Sequence, residues 1–307
     1  MPATKRPASK RPAAKRPGGS ARAPVRVAAT PEWWQRPWVI PAAVVTAIGL
    51  IVVVVLASRS GSSTGGGPGG ANSSPAPASL SSTVTSVPAS TFASVADGGV
   101  AQPFKKVSGQ QPLTGANGKP VLLYMGADYC PYCAAERWSL VLALSRFGQI
   151  GGLQLTTSSS SDAFPDTNTF DFSHLTFTSD VLEVQAVEMQ DRNGQTYQTP
   201  TPTQQSVFSA LDQPPYSSTQ GGIPFVDIGN RYVGGLPSSG YGPDALQGLT
   251  WDQIAQKLSN PNDSVTKGIV GNANRITAAI CAVTNNQPSS VCQTPTIQQL
   301  VSQLPSS

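Results

Sequence analysis

Val121-Leu-Leu-Tyr-Met-Gly-Ala-Asp-Tyr-Cys-Pro-Tyr-Cys-Ala-Ala-Glu-Arg-Trp138, running on through Ser-Leu-Val-Leu-Ala-Leu-Ser-Arg-Phe147, is the stretch whose reading decides the fold. Val121 to Met125 is an apolar, strand-like run that ends at Gly126. Cys130-Pro131-Tyr132-Cys133 follows, and then Trp138, Val141, Leu142, Leu144 and Phe147 recur at helical spacing. The pattern predicts a strand, a short loop and a helix with a CxxC motif at its start. The first turn of a helix presents unpaired N–H groups and the positive end of the dipole, and both stabilise a thiolate. Cys130 is therefore expected to be the exposed nucleophile. Cys133, one turn further in and less accessible, is expected to be the resolving thiol.

A second landmark lies about a hundred residues on, at Gly222-Ile-Pro-Phe-Val-Asp-Ile-Gly-Asn-Arg-Tyr-Val233. A proline opening an apolar run, then Gly-Asn, then a second short apolar run, reads as a strand hairpin. Proline at the first residue of a strand obeys the rules of sheet pairing. Strand, CxxC, helix and a distant Ile-Pro-Phe strand, in that order, predict an α/β domain of the thioredoxin-like class, in which a cis proline faces the CxxC. The expectation is a cis Ile223–Pro224 bond, with the Ile223 backbone pairing to an extended substrate. Pro131 and Tyr132, between the two cysteines, complete the expected substrate-binding surface.

The rest of the chain is read around these landmarks. Residues 1–36 hold 9 of the 20 Lys+Arg, with Glu32 the only acid, so the remainder carries 11 basic and 15 acidic residues. The repeat Lys5-Arg6-Pro7, Lys10-Arg11-Pro12, Lys15-Arg16-Pro17 cannot build a core and predicts a disordered basic tail. Residues 37–58 carry no charged side chain, and this apolar run matches the ~20 residues that cross a bilayer. Trp33, Trp34 and Trp38 would sit at headgroup level, and the basic tail places the N-terminus in the cytoplasm. The run is longer than the ~7–15 residues of a signal-peptide core, so an uncleaved single-pass anchor in the cell membrane is expected. Residues 59–90, almost all Gly, Ser, Pro, Thr and Ala, read as a flexible tether. Residues 91–307 are then the extracytoplasmic domain. It has no basic patch to follow a phosphate backbone, so nucleic acid is not an expected partner.

Within that domain, Phe104 to Leu113 is expected to form a first strand or arm, and Leu153 to Thr157 the strand that completes a βαβ unit with the motif helix. Residues 158–222 are then a long insertion between the βαβ half and the cis-Pro hairpin, with strands over Phe170–His174 and Leu182–Ala186 and a helix from Thr201 to Leu211. Thr250-Trp-Asp-Gln253 is a capping box opening a helix through Leu258. Ile269, Ala273, Ile276 and Ile280 share one face of a further helix. Cys281 ends it and Cys292 lies just beyond, a spacing suited to a structural disulfide in an exported domain.

The CxxC motif admits other chemistry. A zinc site needs four ligands, usually with a second close pair, and this chain has one His and no second CxxC. A structural bridge at Cys130–Cys133 is the bland alternative, and a peroxidase acting through a sulfenic acid a further one. His174 is read as a strand residue without a catalytic role. Asp128 and Glu136 are read as solvated or capping acids that oppose a thiolate at Cys130, Arg137 as a charge that favours it, and Trp138 as core.

Gly126-Ala-Asp-Tyr-Cys-Pro-Tyr-Cys-Ala-Ala-Glu-Arg-Trp138 resembles the signature of the family called domain of unknown function 929. So do Ser145-Arg-Phe-Gly148, Ser159-Ser-Ser-Asp162, Ile223-Pro-Phe-Val-Asp227 and Ile276-Thr-Ala-Ala-Ile-Cys281. The resemblance spans roughly residues 95–295 and implies a thioredoxin-like fold in an extracytoplasmic setting. The combined expectation is a membrane-anchored thiol–disulfide oxidoreductase with Cys130 and Cys133 as its catalytic pair. It needs no metal or organic cofactor. Its partners are client proteins with thiols or disulfides, a membrane redox partner and the lipid bilayer. The competing expectation is a non-catalytic binding module on the same scaffold with two structural disulfides.

Overall fold

The computed structural model describes residues 73–218 and 220–306. The basic tail, the apolar run 37–58 and residues 59–72 of the expected tether lie outside the described residues. Among those described, no helix is long and apolar enough to cross a membrane.

In chain order the elements are β1 (Ser74–Pro75), α1 (Ala78–Thr85), α2 (Ala89–Val95), β2 (Lys105–Lys106), β3 (Val121–Gly126) and α3 (Pro131–Leu144). There follow β4 (Gln149–Gly151), β5 (Gln154–Thr157), β6 (Asn168–Asp171), β7 (Thr176–Thr178), β8 (Glu183–Glu188) and α4 (Pro202–Leu211). The chain closes with β9 (Phe225–Ile228), β10 (Tyr232–Gly234), α5 (Trp251–Lys257), α6 (Ser264–Val283), α7 (Ser289–Cys292) and α8 (Pro295–Ser302).

The main sheet has the order β2-β10-β9-β3-β8. β3 runs parallel to β8 and antiparallel to β9, which pairs antiparallel with β10. β3 is apolar throughout because both its faces are covered. Leu122 and Tyr124 join Val226 and Ile228 in a large core with α3 and α6. Val121, Leu123 and Met125 face the other way, toward Phe208 and Leu211 of α4. The 20-residue helix α6 packs along α3, and Ser139 Oγ donates to Ile269 O at 3.1 Å across that contact.

Two expectations about organisation are corrected. Gln154–Thr157 is not the parallel partner of β3; it pairs antiparallel with β1 and β6 in a separate three-stranded sheet. With Gln154, Thr156 and Thr157 around Leu155, it has one apolar side chain to bury. β8 offers Val184, Ala186 and Val187, and it takes the place beside β3. Residues 145–182 therefore lie inside the βαβ crossover, and only residues 189–222, which carry α4, lie between it and the cis-proline hairpin. The tether also ends earlier than residue 90. Leu80 and Val84, one helical turn apart, are buried, and α1 packs against α3 and α5. An Ala/Ser/Thr-rich composition masked that two-residue stripe, so the packed body begins before Thr91.

Elsewhere the helices start where their caps predict. Thr201 and Thr250 each form a reciprocal capping box, with Gln204 and Gln253. The arm after Phe104 contributes only the two-residue edge strand β2, paired with β10. His174 sits in a turn beyond β6, not in a strand, with Nδ1 2.9 Å from Ser173 Oγ.

Candidate functional site

β3 delivers the chain to the motif at the end of the sheet. Cys130 is the N-cap of α3, and its backbone is extended (φ −79°, ψ 118°). Pro131 occupies the first helical position, where the missing N–H has no partner to lose. Cys130 Sγ accepts the Cys133 N–H at 3.1 Å. The cysteine thus caps its own helix, the task that Ser or Asp usually performs. Both cysteines are free thiols.

The Ile223–Pro224 bond is cis and lies against this turn. Ile223 O is 4.0 Å from Cys130 Sγ, and the Ile223 N–H makes no hydrogen bond among the described residues. Tyr132, Ile223 and Pro224 line a groove of about 450 Å³, with Leu211, Phe225 and Leu236 among its apolar walls. Tyr132 is 46% exposed, the one large exposed apolar side chain among the described residues. Its ring meets Phe164 edge-on at 6.0 Å, so the 158–167 loop of the insertion flanks the motif. Gly235 also lines the groove, and a Cβ there would run into Pro224 O, so the position has no room for a side chain.

The structure thus brings together Cys130, Cys133, Tyr132, Ile223 and Pro224. Pro131 is buried beneath them. Cys281 and Cys292 stand apart, on α6 and α7, and are bonded with their Cα atoms 5.5 Å apart. Cys130 corrects one expectation. It is only 5% exposed, because the cis-proline loop lies over it.

The two thiols are not equivalent. The Cys130 thiol is lowered by the hydrogen bond from the Cys133 side chain, which outweighs burial, and further by the Cys133 amide and the charge of Arg137. Cys133 is fully buried, and burial together with its bond to Cys130 pushes its thiol well up. Of the two, Cys130 is the sulfur more readily ionised.

Asp128 and Glu136 are corrected most: both are buried, not solvated. Arg137 is buried too, and its charge lowers the Cys130 thiol, the direction expected of it. Arg137 donates through Nε to Glu188 Oε1 at 2.9 Å and through Nη2 to Glu188 Oε2 at 2.6 Å, and Nη2 also reaches Ala127 O at 2.8 Å. Asp128 Oδ1 is 3.5 Å from the same Nη2, and burial pushes its carboxyl up to about 8 despite that charge. Carboxylate oxygens of Asp128, Asp171 and Glu188 lie within 4.8 Å of one another, the one metal-competent cluster among the described residues. Arg137 already supplies the cation there. Glu136 faces the other way, accepting from Asn272 Nδ2 at 2.8 Å, and burial raises it to about 7. Glu188 and Asp171 carried no sequence signal: Glu188 ends β8 and Asp171 ends β6, and only the assembled fold brings them to Asp128. Trp138 is core, its Nε1 donating to Asn168 O at 2.9 Å.

Fold and site together define a mixed α/β domain with a dithiol at a helix N-terminus facing a cis proline. The model of the family described as Domain of unknown function (DUF929) matches residues 103–282, and the chain belongs to that family. No curated protein and no solved structure matches it.

Proposed function

We propose that this chain is a thioredoxin-like, membrane-anchored thiol–disulfide oxidoreductase acting on client proteins outside the cytoplasm. The observation that carries the reading is the pairing of a low-pKa Cys130, capped by the Cys133 amide, with a high-pKa buried Cys133 beside cis-Pro224. The sheet order β10-β9-β3-β8, with the motif after β3 and the cis proline before β9, supports the fold assignment.

In the reductive direction the Cys130 thiolate attacks one sulfur of a client disulfide. A Cys130–client bond forms and the other client sulfur leaves as a thiolate. Cys133 then gives up its proton and attacks Cys130 Sγ, releasing the second client thiolate and leaving Cys130–Cys133 oxidised. The reverse sequence oxidises a client dithiol. A membrane redox partner restores the starting state in either case. The open Ile223 N–H and the groove beside it are positioned to hold an extended client segment during the exchange.

Burial of Cys130 favours the second reading, a binding module in which the pair is structural. One experiment separates them. Full-length Cys133→Ser protein is incubated with a disulfide-bonded client such as insulin and resolved without reductant. The oxidoreductase reading predicts a Cys130-linked adduct, absent from a Cys130→Ser variant that remains folded. No adduct, together with a destabilised Cys130→Ser protein, supports the binding module and refutes the enzyme.

A further inference from the structure

A recess remote from the cysteine pair combines a lone cation with apolar walls. It has a volume of about 240 Å³ and lies where the end of α3 meets the α1–α2 segment, α6 and the α7–α8 corner. Val87, Phe92, Val291 and Ile297 form its apolar side, Arg146 and Asn274 its polar end, and no Asp or Glu lines it. It is smaller than the ~300–1,000 Å³ of most drug-sized ligand sites.

Arg146 has no carboxylate partner among the described residues. Its Nη1 donates to Asn274 Oδ1 at 3.0 Å and to Thr277 Oγ1 at 3.2 Å, and the guanidinium carbon lies 4.4 Å from the centre of the Phe92 ring. Nε and Nη2, the edge that suits a two-oxygen acceptor, make no hydrogen bond among the described residues. Burial lowers its pKa to about 10, so the charge is retained at neutral pH. The protein therefore orients this side chain with neutral acceptors and leaves its two-donor edge unmatched.

The facing wall adds a weaker positive contribution. Thr294, the N-cap of α8, donates its hydroxyl to Val291 O at 2.9 Å and makes no capping bond. The first-turn N–H groups of α8, at Thr296 and Ile297, are left uncapped, and both residues line the recess. The same wall is fixed in place by the Cys281–Cys292 bond, which ties α7 to α6 next to Ser290 and Val291.

We propose that this recess is a binding site for a small monocarboxylate with a short apolar tail. The carboxylate takes the Nε/Nη2 edge of Arg146, and the tail lies between Phe92, Val87, Val291 and Ile297. A planar carboxylate matches the guanidinium fork with two parallel bonds. A phosphate would press its remaining charged oxygens against those apolar walls, which is costly. The site is independent of the cysteine chemistry and stands or falls apart from it.

The test is calorimetric titration of the full-length protein with benzoate, benzamide and inorganic phosphate. Benzoate is expected to bind at least tenfold more tightly than either of the others. Arg146→Met is expected to weaken benzoate at least tenfold. Ala93→Phe, which fills the recess from its exposed rim, is expected to weaken it likewise with an unchanged melting temperature, so the result does not depend on Arg146→Met folding. Absence of benzoate binding at millimolar concentration overturns the proposal. So does equal binding of benzamide, phosphate binding as tight as benzoate, or benzoate binding that Ala93→Phe leaves unchanged.

Discussion

Replacing Glu136 with Gln should stabilise the protein in alkaline solution and do almost nothing in acid. Glu136 is fully buried between α3 and α6, with Asn272 Nδ2 on Oε2 and nothing on Oε1, while Asn272 Oδ1 also lacks a partner. Those two orphan oxygens are what a protonated carboxyl would pair, with O–H donating to the amide oxygen. Burial raises the folded-state pKa from 4.5 to about 7. A raised carboxyl binds its proton more tightly when folded. Its contribution is therefore complete below pH ~4.5 and is lost as pH climbs to ~7, at about 1.4 kcal/mol per unit. The full loss above pH ~7 is about 3 kcal/mol. Gln supplies an N–H to Asn272 Oδ1 and an oxygen to Nδ2 at every pH. Asp128 and Asp227 are also raised by burial, to about 8 and about 7, so the wild-type stability itself should fall with rising pH. The difference between variant and wild type isolates Glu136. Urea unfolding followed by tryptophan fluorescence between pH 5 and 9 measures it. A difference that grows toward about 3 kcal/mol by pH 8 fits the reasoning. A flat difference, or a Gln variant less stable at pH 8, refutes it.

Further outcomes follow from the same geometry. Arg137→Met removes the cation that pairs Glu188 and Asp128, and should cost roughly 3–5 kcal/mol of stability, read by urea unfolding. Gly235→Ala places a methyl against Pro224 O and should slow exchange with clients, in a turnover assay, while far-UV circular dichroism stays unchanged. Opening Cys281–Cys292 with paired Ser substitutions frees an 11-residue separation and should cost about 3 kcal/mol by loop entropy, again read by unfolding. Iodoacetamide at neutral pH should alkylate Cys130 before Cys133, as peptide mass spectrometry would show, because the first thiol is lowered and the second raised.

Much of the site was legible because its signals are local. The apolar run Val121–Met125, the CxxC spacing, proline at the first helical position and the Ile223-Pro224-Phe225 strand start each dictate backbone geometry within a few residues. What was not legible depended on partners distant in sequence. Leu153–Thr157 and Leu182–Ala186 both read as strands, and it is the more apolar second run that takes the place beside β3. Glu136 read as a solvated or capping acid because charged residues on a helix usually mark its wet face. Helix α3 has no such face beyond Tyr132, since the sheet, α6 and the β6 sheet enclose it. Leu80 and Val84 show the reverse error, in which a tether-like composition hid two side chains that dock a helix.

The most direct measurement of the central claim is the reduction potential of the Cys130–Cys133 pair in the full-length protein. Equilibration with glutathione buffers and trapping of free thiols reads it, with Cys281 and Cys292 quantified separately. An exchange pair with a lowered Cys130 thiol should fall between about −120 and −270 mV, the range of oxidases, isomerases, glutaredoxins and reductases. A potential well below about −300 mV would mark the pair as structural and contradict the oxidoreductase account.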